Sequence, residues 1–322
     1  MPEVGERTRL LAAFAAVYVI WGSTYLAILY AIETLPPFLM AGARFLVAGA
    51  VLYGWARLRG VPRPRGLHWR SAAIVGAFLL LGGNGGVVWS EQRVPSGLAA
   101  LLVATVPLWM VVFESLRPTG VRPGRGVWVG LALGLAGVAL LVGRGELAGG
   151  RGADPLGAVV LIVASMSWAC GSIYARAARL PESPLLATGM EMLSGGVLLT
   201  VAGLATGEWG RLALDQASPR SLWALLYLIV MGSLVGFTAY IYLLQKTTPA
   251  LASTYAFVNP VVAVFLGWAL AGEAVTPRTL LAAAVIVTAV VVIVTSRSRS
   301  GAPKRAAEPA VASDEPILRA AD

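Results

Sequence analysis

The stretch WGSTYLAILYAIETLPPFLMAGARFLVAGAVL, from Trp21 to Leu52, is written a second time in diverged form as WACGSIYARAARLPESPLLATGMEMLSGGVLL, from Trp168 to Leu199. At a single offset of 147 residues and without a gap, Trp21 falls on Trp168, Ala31 on Ala178, Pro37 on Pro184, Leu39 on Leu186, Gly42 on Gly189, Leu46 on Leu193, Gly49 on Gly196 and Leu52 on Leu199. Eight of 32 positions agree. About three are expected by chance in so apolar a chain, so the Trp and Pro matches carry the information. A second set agrees at offset 153, where Gln92 falls on Gln245, Leu98 on Leu251, Ala99 on Ala252 and Pro107 on Pro260. Two matches in the same chain order, at nearly the same offset, identify an internal duplication.

Composition says what is duplicated. With 57% hydrophobic and 13% charged residues and a mean hydropathy of +0.76, the chain has too little polar surface to coat a soluble globule and belongs in a lipid bilayer. The 37 glycines and 19 prolines fit membrane helices, where small residues let neighbours approach and adjoining groups re-satisfy freed backbone. The single cysteine, Cys170, excludes an intrachain disulfide and a thiolate-rich metal cluster.

A helix needs about 20 apolar residues to cross about 30 Å of hydrocarbon. Ten such runs are legible: 10–31, 38–55, 71–90, 96–113 and 126–142, then 155–175, 185–205, 222–244, 250–271 and 280–295. The expected architecture is all-α and integral to the membrane, with ten transmembrane helices as two inverted five-helix repeats. Residues 1–9 form a short polar head that lacks the basic region of a cleavable signal. Residues 10–143 are the first repeat, 144–154 a Gly-rich linker, 155–296 the second repeat, and 297–322 a disordered tail of Arg, Ser, Ala, Pro and Asp.

Orientation follows from Lys and Arg, which cytoplasmic loops retain. With the N-terminus inside, inner segments carry 18 basic residues and outer segments six, while Arg44 lies within a span. Both termini are therefore expected in the cytoplasm, in a multi-pass protein of the cell (inner) membrane. The same distribution explains the net charge of +9 without nucleic acid, because the basic residues face anionic lipid headgroups on one side of the bilayer. Five crossings per copy force the second copy to enter from the opposite face. Inverted repeats of this kind build secondary transporters, with substrate sites near the midplane between the halves.

Other chemistry finds no support in the residues. The two lysines, Lys246 and Lys304, lack the glycines of a phosphate-binding loop, the sole histidine, His68, sits in a basic loop, and no G-x-S-x-G elbow occurs. No catalytic set, metal site or cofactor is expected.

Trp21-Gly22-Ser23-Thr24-Tyr25 in the first span, Pro36-Pro37 followed by Ala43-Arg44-Phe45 in the second, and Asn259-Pro260 with Gly267 and Gly272-Glu273 around the ninth resemble the EamA family of the drug/metabolite transporter superfamily. Glu191-Met192-Leu193 with Gly195-Gly196 is similar to the YedA-like exporters within it. The resemblance covers about residues 10 to 296 and implies a ten-helix inner-membrane carrier that exports metabolites, amino acids or drug-like compounds, driven by a gradient. The substrate itself does not carry over.

The residues that point to a site are few. Arg44 and Glu191 occupy equivalent repeat positions inside their spans, where a charge costs roughly 2.5 to 3.5 kcal/mol on insertion scales and so faces a cavity or a partner. Opposite in sign, they either pair or contact a zwitterionic substrate, unless Arg44 snorkels and Glu191 merely bonds a neighbouring helix. Trp21 and Trp168 lie near mid-span, beyond the reach of an interfacial belt. With Tyr25, Trp109, Tyr240 and Tyr255 they either pack helices together or line a cavity wall. Asn84 among its glycines and Asn259 beside Pro260 are hydrogen-bonding or hinge positions, or plain packing notches.

These readings converge on a carrier with rocking halves and a cavity formed by spans one, three, four, six, eight and nine. Its partners are a small-molecule substrate, protons and the lipid bilayer, with Glu191 the expected protonation site, and the chain is a monomer or weak homodimer. The alternatives are a facilitative carrier without proton coupling, a membrane enzyme, which would need polar residues clustered at one interface, and a scaffold or sensor, which would need a soluble domain.

Overall fold

The computed structural model describes residues 2–116, 124–142, 154–247 and 254–300. Most of the expected linker, 144–153, and the tail beyond 300 lie outside them. In chain order the main helices are α1 (Pro2–Ala31), α2 (Pro37–Leu58), α3 (Gly66–Gly76), π1 (Ala77–Gly85), α4 (Gly86–Ser90), α5 (Ser96–Val103), α6 (Val106–Ser115) and α7 (Arg125–Val142). The second half contributes α8 (Pro155–Ala175), α9 (Pro184–Ala205), α10 (Pro219–Tyr227), π2 (Leu228–Val235), α11 (Gly236–Lys246), α12 (Tyr255–Ala271) and α13 (Pro277–Ser300).

Seven helical stretches among the described residues are long and apolar enough to cross a membrane: Glu6–Ala31, Pro37–Leu58, Gly66–Ser90, Ser96–Ser115, Pro155–Ala175, Pro184–Ala205 and Pro219–Leu243. Three further apolar helices, Trp128–Gly137, Val258–Ala271 and Pro277–Ile293, are shorter. The elements fall where the ten apolar runs lie, with differences at the ends. α1 takes in the polar head, because Glu6 and Arg7 are tolerated by a helix and Glu6 is held by Lys246 Nζ at 2.9 Å. α13 likewise runs on to Ser300.

Helix starts obey local chemistry. Proline occupies the first turn of α2, α8, α9 and α10, where its missing N–H costs nothing. Asp154, Ser183 and Ser218 cap α8, α9 and α10 by accepting from Leu156, Leu186 and Ser221 N–H. The long faces turned outward are apolar, with Val19, Val47, Val51, Val159, Val163, Val197, Val201 and Phe265 exposed. So much exposed apolar surface suits lipid rather than water.

The tightest helix pair joins the two copies. A Cβ on Gly49 of α2 would stand 2.8 Å from the Leu193 nitrogen and 2.9 Å from the Gly189 carbonyl of α9. One on Gly196 would stand 2.9 Å from the Leu46 nitrogen and 3.2 Å from the Gly42 carbonyl. The two helices run antiparallel, and their contacts are reciprocal. Gly42 meets Gly196, and their repeat counterparts, Gly189 and Gly49, meet each other.

Backbone meets backbone at this seam, so a side chain has nowhere to go. Gly189→Leu is expected to destabilise the protein by about 2 kcal/mol or more through overpacking, read as a lowered midpoint in a thermal melt of the detergent-solubilised chain. Gly54→Leu is the control, since nothing lies within 4 Å of a Cβ there; equal loss in both variants would deny the seam its special role.

Candidate functional site

Each half carries a π-helical segment in its third apolar run, π1 and π2. Wider turns interrupt the regular i→i−4 bonding and leave carbonyls to be met by side chains. Asn84 Nδ2 reaches the Leu79 carbonyl at 3.4 Å, and Ser167 Oγ of α8 donates to the Phe78 carbonyl at 2.7 Å. In the other half Trp21 Nε1 donates to the Gly232 carbonyl at 3.1 Å.

The two mid-span tryptophans are seated in matching places. Trp168 lies against Gly83, where a Cβ would come within 2.7 Å of its ring, and Trp21 lies against Gly236. Gly83 and Gly236 are related by the same offset of 153 as the second repeat match. Each tryptophan therefore sits on the glycine of the other half.

Around Trp21 the structure gathers three of the residues that the sequence singles out. Trp21 and Tyr240 have ring centroids 5.1 Å apart, Trp21 and Tyr255 meet edge-on at 5.1 Å, and Tyr240 and Tyr255 edge-on at 5.6 Å. Phe237 completes the cluster at 5.3 Å from Trp21. Edge-to-face pairs of this kind are worth about 0.5 to 1.5 kcal/mol beyond area burial. Asn259, buried in α12, has one end of its amide 3.2 Å from the carbonyls of Tyr18 and Tyr255, and with its NH2 group turned to that end it donates to both and ties α12 to α1 across the cluster.

Arg44 approaches the same region from α2. It is buried, its Nε donates to Ser233 Oγ at 3.0 Å, and its guanidinium lies beside Gly232, the residue whose carbonyl Trp21 takes. Among the described residues no ion pair joins Arg44 to Glu191. The antiparallel register is the reason: Gly42 and Leu46 flank Gly196, so Arg44 is level with Gly196, while Glu191 lies near Gly49 and its carbonyl faces Gly76 of α3. Glu191 is half-buried. Tyr25 packs on the main core, and Trp109 stacks on Phe113 with centroids 6.4 Å apart, its buried Nε1 lacking a hydrogen-bond partner among the described residues.

The end of the bundle where α1 finishes holds Glu208, Glu273 and Glu91, none of them among the site residues expected from the sequence. Glu208 accepts from the backbone N–H of Phe38 at 3.2 Å and of Leu39 at 2.9 Å, anchoring the start of α2. Glu273 accepts from Ser96 N–H at 2.6 Å and Gly97 N–H at 3.0 Å, anchoring the start of α5. In each case a carboxylate from the connection after one helix holds the positive N-terminus of its repeat counterpart. The third, Glu91, is buried at the end of α4. All three read as loop carboxylates in sequence; the Gly272-Glu273 motif is the one trace of them.

A groove of about 590 Å³ between α12 and α13 is lined by apolar residues, among them Val261, Phe265, Trp268 and Leu280, and by none of Trp21, Trp168, Tyr240 or Tyr255.

The EamA-like transporter family matches the chain twice, over residues 8–143 and 155–295. The inner membrane transporter YedA of Escherichia coli K12 is 44% identical over 278 residues, covering 86% of this chain and 88% of that protein. Protein PecM of Dickeya dadantii is 26% identical over 255 residues, covering 77% of this chain and 80% of its own. A protein crystal structure aligns over 90% of this chain and 99% of its own with a TM-score of 0.62 at 21% identity, which speaks for the fold alone.

Replacing one acceptor of the half-buried Glu273 carboxylate by an amide leaves a helix-start N–H facing another N–H. Glu273→Gln is expected to cost about 1–3 kcal/mol in a thermal melt, with the exposed Glu182→Gln unchanged. An unaltered midpoint for Glu273→Gln would mean that α5 does not depend on this anchor.

Proposed function

From the premise that this chain belongs to the EamA-like transporter family, and is thus a multi-pass membrane transporter of the drug/metabolite transporter superfamily, we propose that it is a secondary active exporter working by alternating access. In this reading ten helices form two five-helix halves of opposite orientation, with both termini in the cytoplasm. The cargo is a small metabolite, amino acid or drug-like compound, driven by exchange for protons.

One observation supports this most: the crossed seating of Trp21 on Gly236 and Trp168 on Gly83. A two-fold axis parallel to the membrane plane generates such an exchange, and it relates two conformations of equal energy to first order by swapping the halves' roles. The reciprocal glycine contact of α2 with α9 has the same symmetry. π1 and π2, with their looser bonding, are suited to bend while the α2–α9 seam stays closed.

Trp21, Tyr240 and Tyr255 then offer aromatic faces for an apolar or cationic part of the cargo. Arg44 and Glu191, standing apart from each other, serve as separate contacts for its charged groups. Without proton coupling the same framework would act as a facilitator, and a scaffold or sensor would move nothing.

The test is flux in proteoliposomes with a panel of radiolabelled amino acids and cationic dyes, with and without an imposed pH gradient, comparing the native chain with Glu191→Gln. Gradient-driven movement of at least one compound, reduced about tenfold or more in the variant as for loss of a charge-assisted contact, is expected. Flux indifferent to the gradient would leave a facilitator, and no flux for any compound would favour the scaffold.

A further inference from the structure

Glu91 closes α4 at the turn into α5 and is 3% exposed, yet among the described residues neither carboxylate oxygen has a hydrogen-bond partner. This separates it from Glu208 and Glu273 at the same end, each of which accepts two backbone N–H groups. The charged and titratable groups acting on it come from three other elements: Arg44 of α2, Glu273 after α12 and Tyr25 of α1. Arg44 is itself 4% exposed and already gives its Nε to Ser233.

Two opposing effects meet at this carboxyl. A carboxylate removed from water with no donor to it pays several kcal/mol of desolvation, which favours the neutral acid, as does the nearby Glu273. The Arg44 guanidinium favours the anion. A purely structural glutamate would be expected to find N–H partners, as its two neighbours do. At offset 153 its counterpart is Leu244, so the second half has no acid at the equivalent position.

We propose that Glu91, buried without a hydrogen-bond partner among the described residues at the turn from α4 into α5, is the proton-binding group of this carrier. The inference rests on the exporter reading above and gives the proton to Glu91 instead of Glu191, leaving Glu191 to the cargo. In the step itself the Glu91 O–H bond breaks, the proton passes to water when this end opens, and the carboxylate that remains is balanced by Arg44. Closing the end with the proton bound carries a neutral acid into the protein interior.

The proton is its own probe, so the first readout needs no cargo. The full-length chain in lipid nanodiscs is titrated from acid to alkaline pH while the carboxylic C=O stretch is followed by infrared spectroscopy. A band that persists at neutral pH and fades on alkalinisation is expected in the native chain and in Glu191→Gln, absent in Glu91→Gln, and retained at a shifted frequency in Glu91→Asp, which guards against misfolding. A band unchanged in Glu91→Gln, or no such band in any chain, would make Glu91 the permanent anionic counterion of Arg44 and overturn the proposal. In proteoliposomes, Glu91→Gln is expected to keep counterflow of any compound the native chain moves while losing about tenfold or more of its pH-driven accumulation, the behaviour of an intramembrane proton relay that has lost its acid. Equal loss of both would refute the coupling role. A chain that moves no compound yet loses the band in Glu91→Gln would sink the exporter reading and keep the proton site.

Discussion

The two halves are held to each other by the backbone contact between α2 and α9. Two apolar helices in lipid gain little from hydrophobic burial against each other, since the acyl chains are as apolar as leucine. Their association must come from close packing, and Gly42, Gly49, Gly189 and Gly196 provide it by removing the side chains that would hold the backbones apart. Because the four glycines are two repeat pairs in crossed contact, the seam has the symmetry of the duplication. It fixes the first half against the second at one place and leaves the surrounding helices to be arranged by other contacts.

Those other contacts are of two kinds. At the middle of the bundle, tryptophans from α1 and α8 press on glycines at the π-segments of the opposite half, and side chains meet the carbonyls that the wider turns expose. At one end, Glu208 and Glu273 hold helix N-termini by paired charge-assisted bonds. At the other end, ties among the described residues include Lys246 to Glu6, Arg176 to Glu114, and Tyr18 to Thr254. The glutamate end is thus bound by carboxylates on backbone, Glu208 buried and Glu273 half-buried, and the lysine end in part by exposed side-chain pairs, which water competes for more readily.

How much of this was legible in the chain depends on the kind of residue. Trp21 and Trp168 announced the repeat because tryptophan is rare and costly to place at mid-span, and both proved to be packed on glycine across the halves. The apolar runs located the helices to within a few residues, since about 20 residues of hydrocarbon depth leave little freedom. The π-segments were invisible, because Ala77–Gly85 and Leu228–Val235 have the composition of any membrane helix and differ only in bonding. The repeat equivalence of Arg44 and Glu191 suggested a pair, yet antiparallel register sets them at different levels. Glu91 reads in sequence as a turn residue between two apolar runs, for burial of a loop carboxylate depends on helices distant in sequence.

Alternating access is tested most directly by electron–electron distance measurements on the full chain in nanodiscs. With Cys170→Ala as background, one pair of spin labels at Gln92 and Leu214 reports on the glutamate end, and a second pair at Arg65 and Arg179 reports on the opposite end. A rocking carrier with a fixed α2–α9 seam predicts two populations of opposite sense, one pair lengthening when the other shortens as pH is changed. A single distance at both ends at every pH, or lengthening of both pairs together, would contradict it.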